Sequence, residues 1–117
     1  MLSFASAYGD KFSLTDDIHA AAAGADVVFT DVWASMGMEG EAQQRRAAFT
    51  GYQVNDELLS VCARDVMVQH CLPAHRGEEI TESVFEAHAN EIFDEAENRL
   101  HAQKAVMVKL MEKPPLF

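Results

Sequence analysis

Short β-rich runs alternate with longer helical stretches along the chain. The apolar runs Ala25 to Thr30 and Asp65 to Gln69 predict strands, and the first has no polar alternation, which predicts a strand covered on both faces. Weaker runs predict two more strands, Lys11 to Leu14 and Glu91 to Phe93. This alternation is typical of a parallel sheet with crossover helices. We therefore predict an α/β fold with a parallel sheet of about four strands flanked by helices.

Capping residues mark where the helices begin. Thr15 to Asp17, Asn55 and Thr81 offer side-chain oxygens to the backbone N–H groups of a first helical turn. The three capped helices are predicted to run through Ala23, where Gly24 closes the first, through Val61 and through about His88. Two further helices are predicted from Glu41 to Phe49 and from Glu95 to Met111, the last stopped by Pro114 and Pro115.

Three segments with unusual polar residues follow predicted strands: Asp31 to Gly37, His70 to Gly77 and Asp94 to Arg99. Ligands of open parallel sheets bind beyond the carboxyl ends of the strands. We therefore expect these three segments, interpreted as loops, to converge on one crevice.

Composition narrows the class of protein. With 117 residues, 49% of them apolar, the chain has the size of one domain. Its net charge of -10 argues against nucleic acid or an anionic membrane as partner. Two cysteines are too few for a disulfide framework, and we see neither a membrane-length apolar stretch nor a signal peptide. A cytoplasmic protein acting on small molecules or protein partners is expected.

Each candidate site residue has an ordinary structural alternative. Asp31 has the charge to bind an amine, but a lone loop Asp more often caps a turn. Cys71 is followed by His75 and Arg76, whose positive charge would lower the pKa of its thiol, although a buried inert Cys beside a core histidine such as His70 is the commoner arrangement. A metal centre is weaker still, because these residues lack a second cluster at ligand spacing.

Arg99 and Met36 carry the same ambiguity. Arg99 follows Asp94, Glu95 and Glu97, so it either pairs with these acids or presents its guanidinium to an anionic ligand. Met36 is most simply a loop residue that packs on the core. The residues alone leave these alternatives open.

Four strings occur in order along the chain: DVWASMG at 31–37, FTGYQVN at 49–55, HCLPAHRGEE at 70–79 and FDEAENRLHAQKA at 93–105. Together they resemble the ornithine carbamoyltransferase family, over about Lys11 to Met111. The resemblance implies the Rossmann-like second, ornithine-binding domain of the carbamoyltransferase fold. The expected reaction transfers the carbamoyl group of carbamoyl phosphate to the δ-amino group of ornithine, giving citrulline and phosphate without a metal or organic cofactor.

The resemblance also implies residue roles. Asp31, Ser35 and Met36 would hold ornithine, and the SMG-type loop favours ornithine over aspartate, putrescine or an acetylated ornithine. Cys71 and Leu72 would contact the reacting groups, with Cys71 catalytic. Arg99 would bind the carbamoyl oxygen of carbamoyl phosphate.

The family has a first domain, with an STRT-type phosphate-binding motif, that this sequence does not show. We therefore expect residues 1–117 to be a partial ornithine-binding domain, truncated at its N-terminus, lacking the carbamoyl-phosphate-binding domain and inactive alone. Exposed sheet edges and the long last helix predict self-association, as a homo-oligomer. The alternative function is a noncatalytic fragment that folds and self-associates, with at most weak amino-acid binding.

Overall fold

The computed structural model describes residues 2–34, 37 and 39–112. Ser35 and Met36, and the proline pair expected to stop the last helix, lie outside the described residues. The helices are α1 Leu2–Ala5, α2 Ile18–Ala22, α3 Ala42–Ala48, α4 Asp56–Leu59, α5 Glu82–Ala87 and α6 Ala89–Met111, with short 3-10 segments at Ser6–Lys11 and Glu39–Glu41; the strands are β1 Val27–Thr30 and β2 Met67–His70.

The two strands form a parallel sheet in which Val27 pairs with Met67 and Thr30 with His70. The crossover between the strands contains α3 and α4, and α6 packs against β2. The predicted α/β class, with a parallel sheet flanked by helices, is confirmed.

The expected number of strands is wrong for the described part of the chain, where the sheet has two strands rather than about four. Lys11 ends a 3-10 segment, and residues 12–14 pair with no strand. Residues 91–93 belong to α6. So short an apolar run cannot distinguish strand from helix, and the polar residues after it favour helix.

The same correction applies to the third expected loop, because residues 94–99 are helical. Arg99 therefore projects from a helix, while the first two segments are loops at strand ends. The prediction that β1 is covered on both faces is also wrong: Phe29 is 69% exposed. In the described structure α6 packs on β2, and Val27, on the same face of β1 as Phe29, is 43% exposed.

The predicted helix caps are confirmed. Asp17 accepts a hydrogen bond from the Ala20 N–H at 3.0 Å, Asn55 from Leu58 at 2.9 Å and Thr81 from Val84 at 3.3 Å. The core side chains come from helices α2, α4, α5 and α6, from β2 and from the connecting segments: Ala22, Val54, Leu58, Val68, Ile80, Val84, Phe85 and Ile92. Within the described chain, no helix combines the length and apolar character needed to cross a membrane.

Candidate active site

Asp31 and Cys71 meet at the carboxyl edge of the sheet. Because Thr30 pairs with His70, the residues that follow them leave the sheet side by side. The Cys71 thiol donates a hydrogen bond to Asp31 Oδ1 at 3.2 Å, and the Val32 N–H donates to the same oxygen at 2.7 Å. Residues 40 positions apart in sequence thus share one contact.

The pKa of the Cys71 thiol shifts in the direction opposite to the one that nearby positive charge would cause, as in the alternative of an inert cysteine. Burial raises the pKa of its thiol, and the hydrogen bond and negative charge of Asp31, together with the charge of Glu95, raise it further. The expected effect of Arg76 is absent because its guanidinium is bound to Glu86 at 2.7 Å and lies over the Phe85 ring. The site therefore stabilises a protonated thiol.

A buried histidine and glutamate, a pair that the sequence does not predict, hold the loop that follows Cys71. His70 and Glu79 are both fully buried. The Leu72 N–H donates to His70 Nδ1 at 3.0 Å, so Nδ1 is the acceptor and Nε2–H donates to Glu79 Oε1 at 3.1 Å. The same Glu79 oxygen accepts the backbone N–H of His75. The pair fixes a loop in which Leu72 has a φ of 54°, a conformation that disfavours a branched side chain.

Asp31 and Cys71 open onto a cavity of about 490 Å³, here called the Asp31 cavity, which is also lined by Ala34, Arg46, Leu72, His75 and Glu78. Arg46 donates to Glu78 Oε1 at 2.7 Å across its wall. This hydrogen bond lowers the pKa of Glu78. The cavity wall thus carries the carboxylate of Asp31 and an ion pair, Arg46 with Glu78, whose charges neutralise each other.

On its other side Cys71 borders a cavity of about 510 Å³, the Arg99 cavity, lined by Gln69, Glu91, Asp94, Glu95, Asn98 and Arg99 among others. Among the described residues Arg99 makes no ion pair within 4.0 Å, and its neighbour Glu97 contacts His101 instead, at 3.1 Å. The described residues therefore do not show the alternative in which Arg99 forms ion pairs with the acids beside it in sequence. Cys71 lies where the two cavities meet.

Among the residues that the structure describes, two groups of side chains have the donor types and spacing for a metal ion. One is Asp31, His70 and Cys71, and the other is His75, Glu78 and Glu79. In the first group both ring nitrogens of His70 are already engaged, by Leu72 and Glu79. In the second group, Glu79 Oε2 has no hydrogen-bond partner among the described side chains and backbone groups.

Fold and site together define an α/β domain whose polar groups collect at the carboxyl edge of a parallel sheet. The family model for the aspartate/ornithine carbamoyltransferase Asp/Orn binding domain matches residues 1–110. The ornithine carbamoyltransferase of Methanosarcina mazei is 56% identical over 110 residues, which are 94% of this chain and 36% of that protein. The enzyme of Campylobacter fetus is 61% identical over 95 residues, which are 81% of this chain and 31% of that protein.

The crystal structure of the anabolic ornithine carbamoyltransferase of Campylobacter jejuni is similar in fold, with a TM-score of 0.87 and 41% identity over 97% of this chain and 37% of that one. The chain belongs to the aspartate/ornithine carbamoyltransferase family and corresponds to its Asp/Orn binding domain. The resemblance identified from the four strings is confirmed. The chain spans about a third of the length of the relatives it matches, 36% for the Methanosarcina enzyme.

Proposed function

We propose that this chain forms the ornithine-binding part of an ornithine carbamoyltransferase, which transfers the carbamoyl group of carbamoyl phosphate to the δ-amino group of ornithine. The products are citrulline and phosphate. The observation that carries the proposal is the contact between Cys71 and Asp31 at neighbouring strand ends, in a member of this family. The names of its curated relatives support the choice of ornithine.

Asp31 is proposed to bind the δ-ammonium group of ornithine. Its Oδ1 already accepts two hydrogen bonds, from Cys71 and Val32, which fix the orientation of the carboxylate. Its Oδ2 accepts none from the described residues and is available to a cation. Ser35 and Met36 are proposed as further ornithine contacts from the resemblance alone.

Asp31, rather than Cys71, is proposed as the acceptor of the amine proton. The ammonium group must lose a proton before its nitrogen attacks the carbonyl carbon. A thiol whose pKa is raised remains protonated near neutrality, so it is a poor base. Cys71 instead holds Asp31 in place through its S–H donor and lies against the reacting groups.

Arg99 and Leu72 are proposed to serve carbamoyl phosphate. As the C–N bond forms, negative charge develops on the carbonyl oxygen before the bond to phosphate breaks. Arg99 lines the cavity and makes no ion pair with the residues that the structure describes, so its donors are available for that oxygen. Leu72 follows Cys71 in sequence, and its backbone N–H donates to His70, so the Leu72 backbone is fixed next to Cys71.

We further propose that residues 1–117 supply only this half of the site and are inactive alone. The phosphate-binding groups would belong to a carbamoyl-phosphate-binding domain, corresponding to a part of the relatives that this chain does not match. The proposed reaction uses no cofactor, and the proposed location is the cytoplasm, which suits the two free cysteines.

Ornithine binding tests the proposal through Asp31. In calorimetric titrations of ornithine, we expect Asp31→Asn to weaken binding at least about tenfold, the effect of losing roughly 1.4 kcal/mol from a charge-assisted contact. Asp26→Asn is the matched control, because Asp26 precedes the opposite end of β1. Equal affinity in wild type and Asp31→Asn, or no heat from folded wild-type protein, would contradict the proposed ornithine site.

Self-association is a second candidate function, supported by the exposed apolar side chains at the end of α6. The last turns of α6 carry large exposed apolar side chains, including Val106, Met107, Leu110 and Met111, the last 81% exposed. Exposed apolar surface of this extent favours association. Light scattering should show a homo-oligomer that Leu110→Glu weakens; a monomer at high concentration would contradict this candidate.

A further inference from the structure

Glu79 presents an unusual buried oxygen. Its side chain is fully buried, and Oε1 accepts hydrogen bonds from His70 Nε2 and the His75 backbone. Oε2 has no hydrogen-bond partner among the described residues. A buried carboxylate oxygen without a donor is unfavourable, so this atom favours a cation or a donor placed beside it.

The groups around that oxygen are metal ligands by chemistry. His75 Nδ1 lies 3.9 Å from Glu79 Oε2, too far for a hydrogen bond. Donor atoms of His75, Glu78 and Glu79 all lie within 4.8 Å of one another. The His75 side chain is half exposed, so an ion can approach from solvent. Arg46 holds Glu78 Oε1, which leaves the second Glu78 oxygen available.

We propose that His75, Glu78 and Glu79 form a binding site for a divalent first-row transition-metal ion such as Zn²⁺ or Co²⁺. One imidazole nitrogen and two carboxylates are a ligand set these ions accept, with water completing the coordination. Ligands about 2.1 Å from a tetrahedral ion lie roughly 3.4 Å apart. The 3.9 Å separation of His75 and Glu79 must therefore close by about half an ångström, which the exposed His75 ring can supply by rotation.

The other metal-capable group is a weaker site. His70 accepts from Leu72 through Nδ1 and donates to Glu79 through Nε2, so a metal on either nitrogen would break a bond that holds the loop. The proposed site requires no such break. It requires only that Glu78 keep one oxygen free of Arg46.

Cobalt titration of the full chain tests the site. Tetrahedral Co²⁺ absorbs in the visible range, and a thiolate ligand adds a near-ultraviolet charge-transfer band. We expect visible absorption without that band, and at least tenfold weaker binding in His75→Gln. The matched control is His101→Gln, which removes a histidine paired with an exposed glutamate at the same spacing and should bind like wild type. Arg46→Gln should bind more tightly, because it frees Glu78 Oε1 from its ion pair and removes a positive charge.

Circular dichroism confirms that each variant is folded, and Glu78→Gln replaces His75→Gln if the latter is not; it should also weaken binding. A charge-transfer band that disappears in Cys71→Ser would overturn the proposal in favour of the thiol-containing group. Equal Co²⁺ affinity in wild type and the folded ligand variant would also overturn it. The titration contains neither ornithine nor carbamoyl phosphate, so its failure is distinct from failure of the proposed carbamoyl transfer.

Discussion

Replacing Glu79 by leucine removes the acceptor that orders the loop after Cys71. The His70 Nε2–H then stays buried without a partner, at a cost of about 1–3 kcal/mol. The lost bond from the His75 backbone adds about 0.5–1.5 kcal/mol. We therefore expect Glu79→Leu to lower the free energy of unfolding by about 2–4 kcal/mol. With a urea m value of about 2 kcal/mol/M, the midpoint should fall by about 1–2 M.

Two variants make this measurement specific. Glu79→Gln keeps an acceptor for both donors and should shift stability by less than about 1 kcal/mol. Glu97→Leu removes a carboxylate that pairs with a histidine at the surface and should have little effect. If the urea midpoint of Glu79→Leu equals that of wild type, the buried pair does not hold the loop and the reasoning is refuted.

Three further changes probe other parts of the structure. Asp31→Asn keeps an oxygen that can accept from Cys71 but removes the negative charge that helps to raise the pKa of the Cys71 thiol, so the thiolate fraction and the rate of iodoacetamide labelling at pH 8 should rise at Cys71 but not at Cys62; an unchanged rate would refute the assigned cause. Burial raises the pKa of Glu91, but hydrogen bonds from His88 and the Val68 N–H outweigh it and lower the value in the fold. The stability that this carboxylate contributes is thus fully present above pH 4.5, the ordinary pKa of a glutamate, and is lost as the pH falls through the lower pKa of the folded state. The urea midpoints of wild type and Glu91→Gln should therefore differ at pH 7 and converge in acid. Ile92→Ala should cost about 2–5 kcal/mol in urea unfolding because the side chain is fully buried, and a loss below about 1 kcal/mol would contradict its place in the core.

Much of the fold was predictable because local chemistry specifies it. Asp17, Asn55 and Thr81 cap their helices as expected, since a capping oxygen needs only the N–H groups of the next turn. The two predicted strands with the longest apolar runs correspond to β1 and β2, which pair in the sheet. Residues 91–93 were misinterpreted because a run of three carries no usable periodicity, and their helix is stabilised by contacts with β2 that the sequence does not display.

The candidate site was predicted unevenly. The meeting of Asp31 with Cys71 follows from two loops at neighbouring parallel strand ends, a geometric rule that sequence can supply. The electrostatics of Cys71 could not be predicted from its neighbours in sequence, because Arg76 turns away to Glu86 while Glu95 approaches from α6. The sequence likewise does not predict the burial of Glu79. The signal that could have suggested its pairing with His70 is a glutamate nine residues after a histidine at the end of a predicted buried strand.

The proposed role of this chain is the ornithine-binding half of a carbamoyltransferase site. This role is tested most directly by measuring citrulline formed from ornithine and carbamoyl phosphate, with the chain alone and with the chain mixed with a separately produced carbamoyl-phosphate-binding domain of the family. We predict activity only in the mixture, and its loss in Asp31→Asn. Citrulline formation by the chain alone would contradict the claim that it holds half a site, and no activity from a mixture of folded domains would contradict the proposed function.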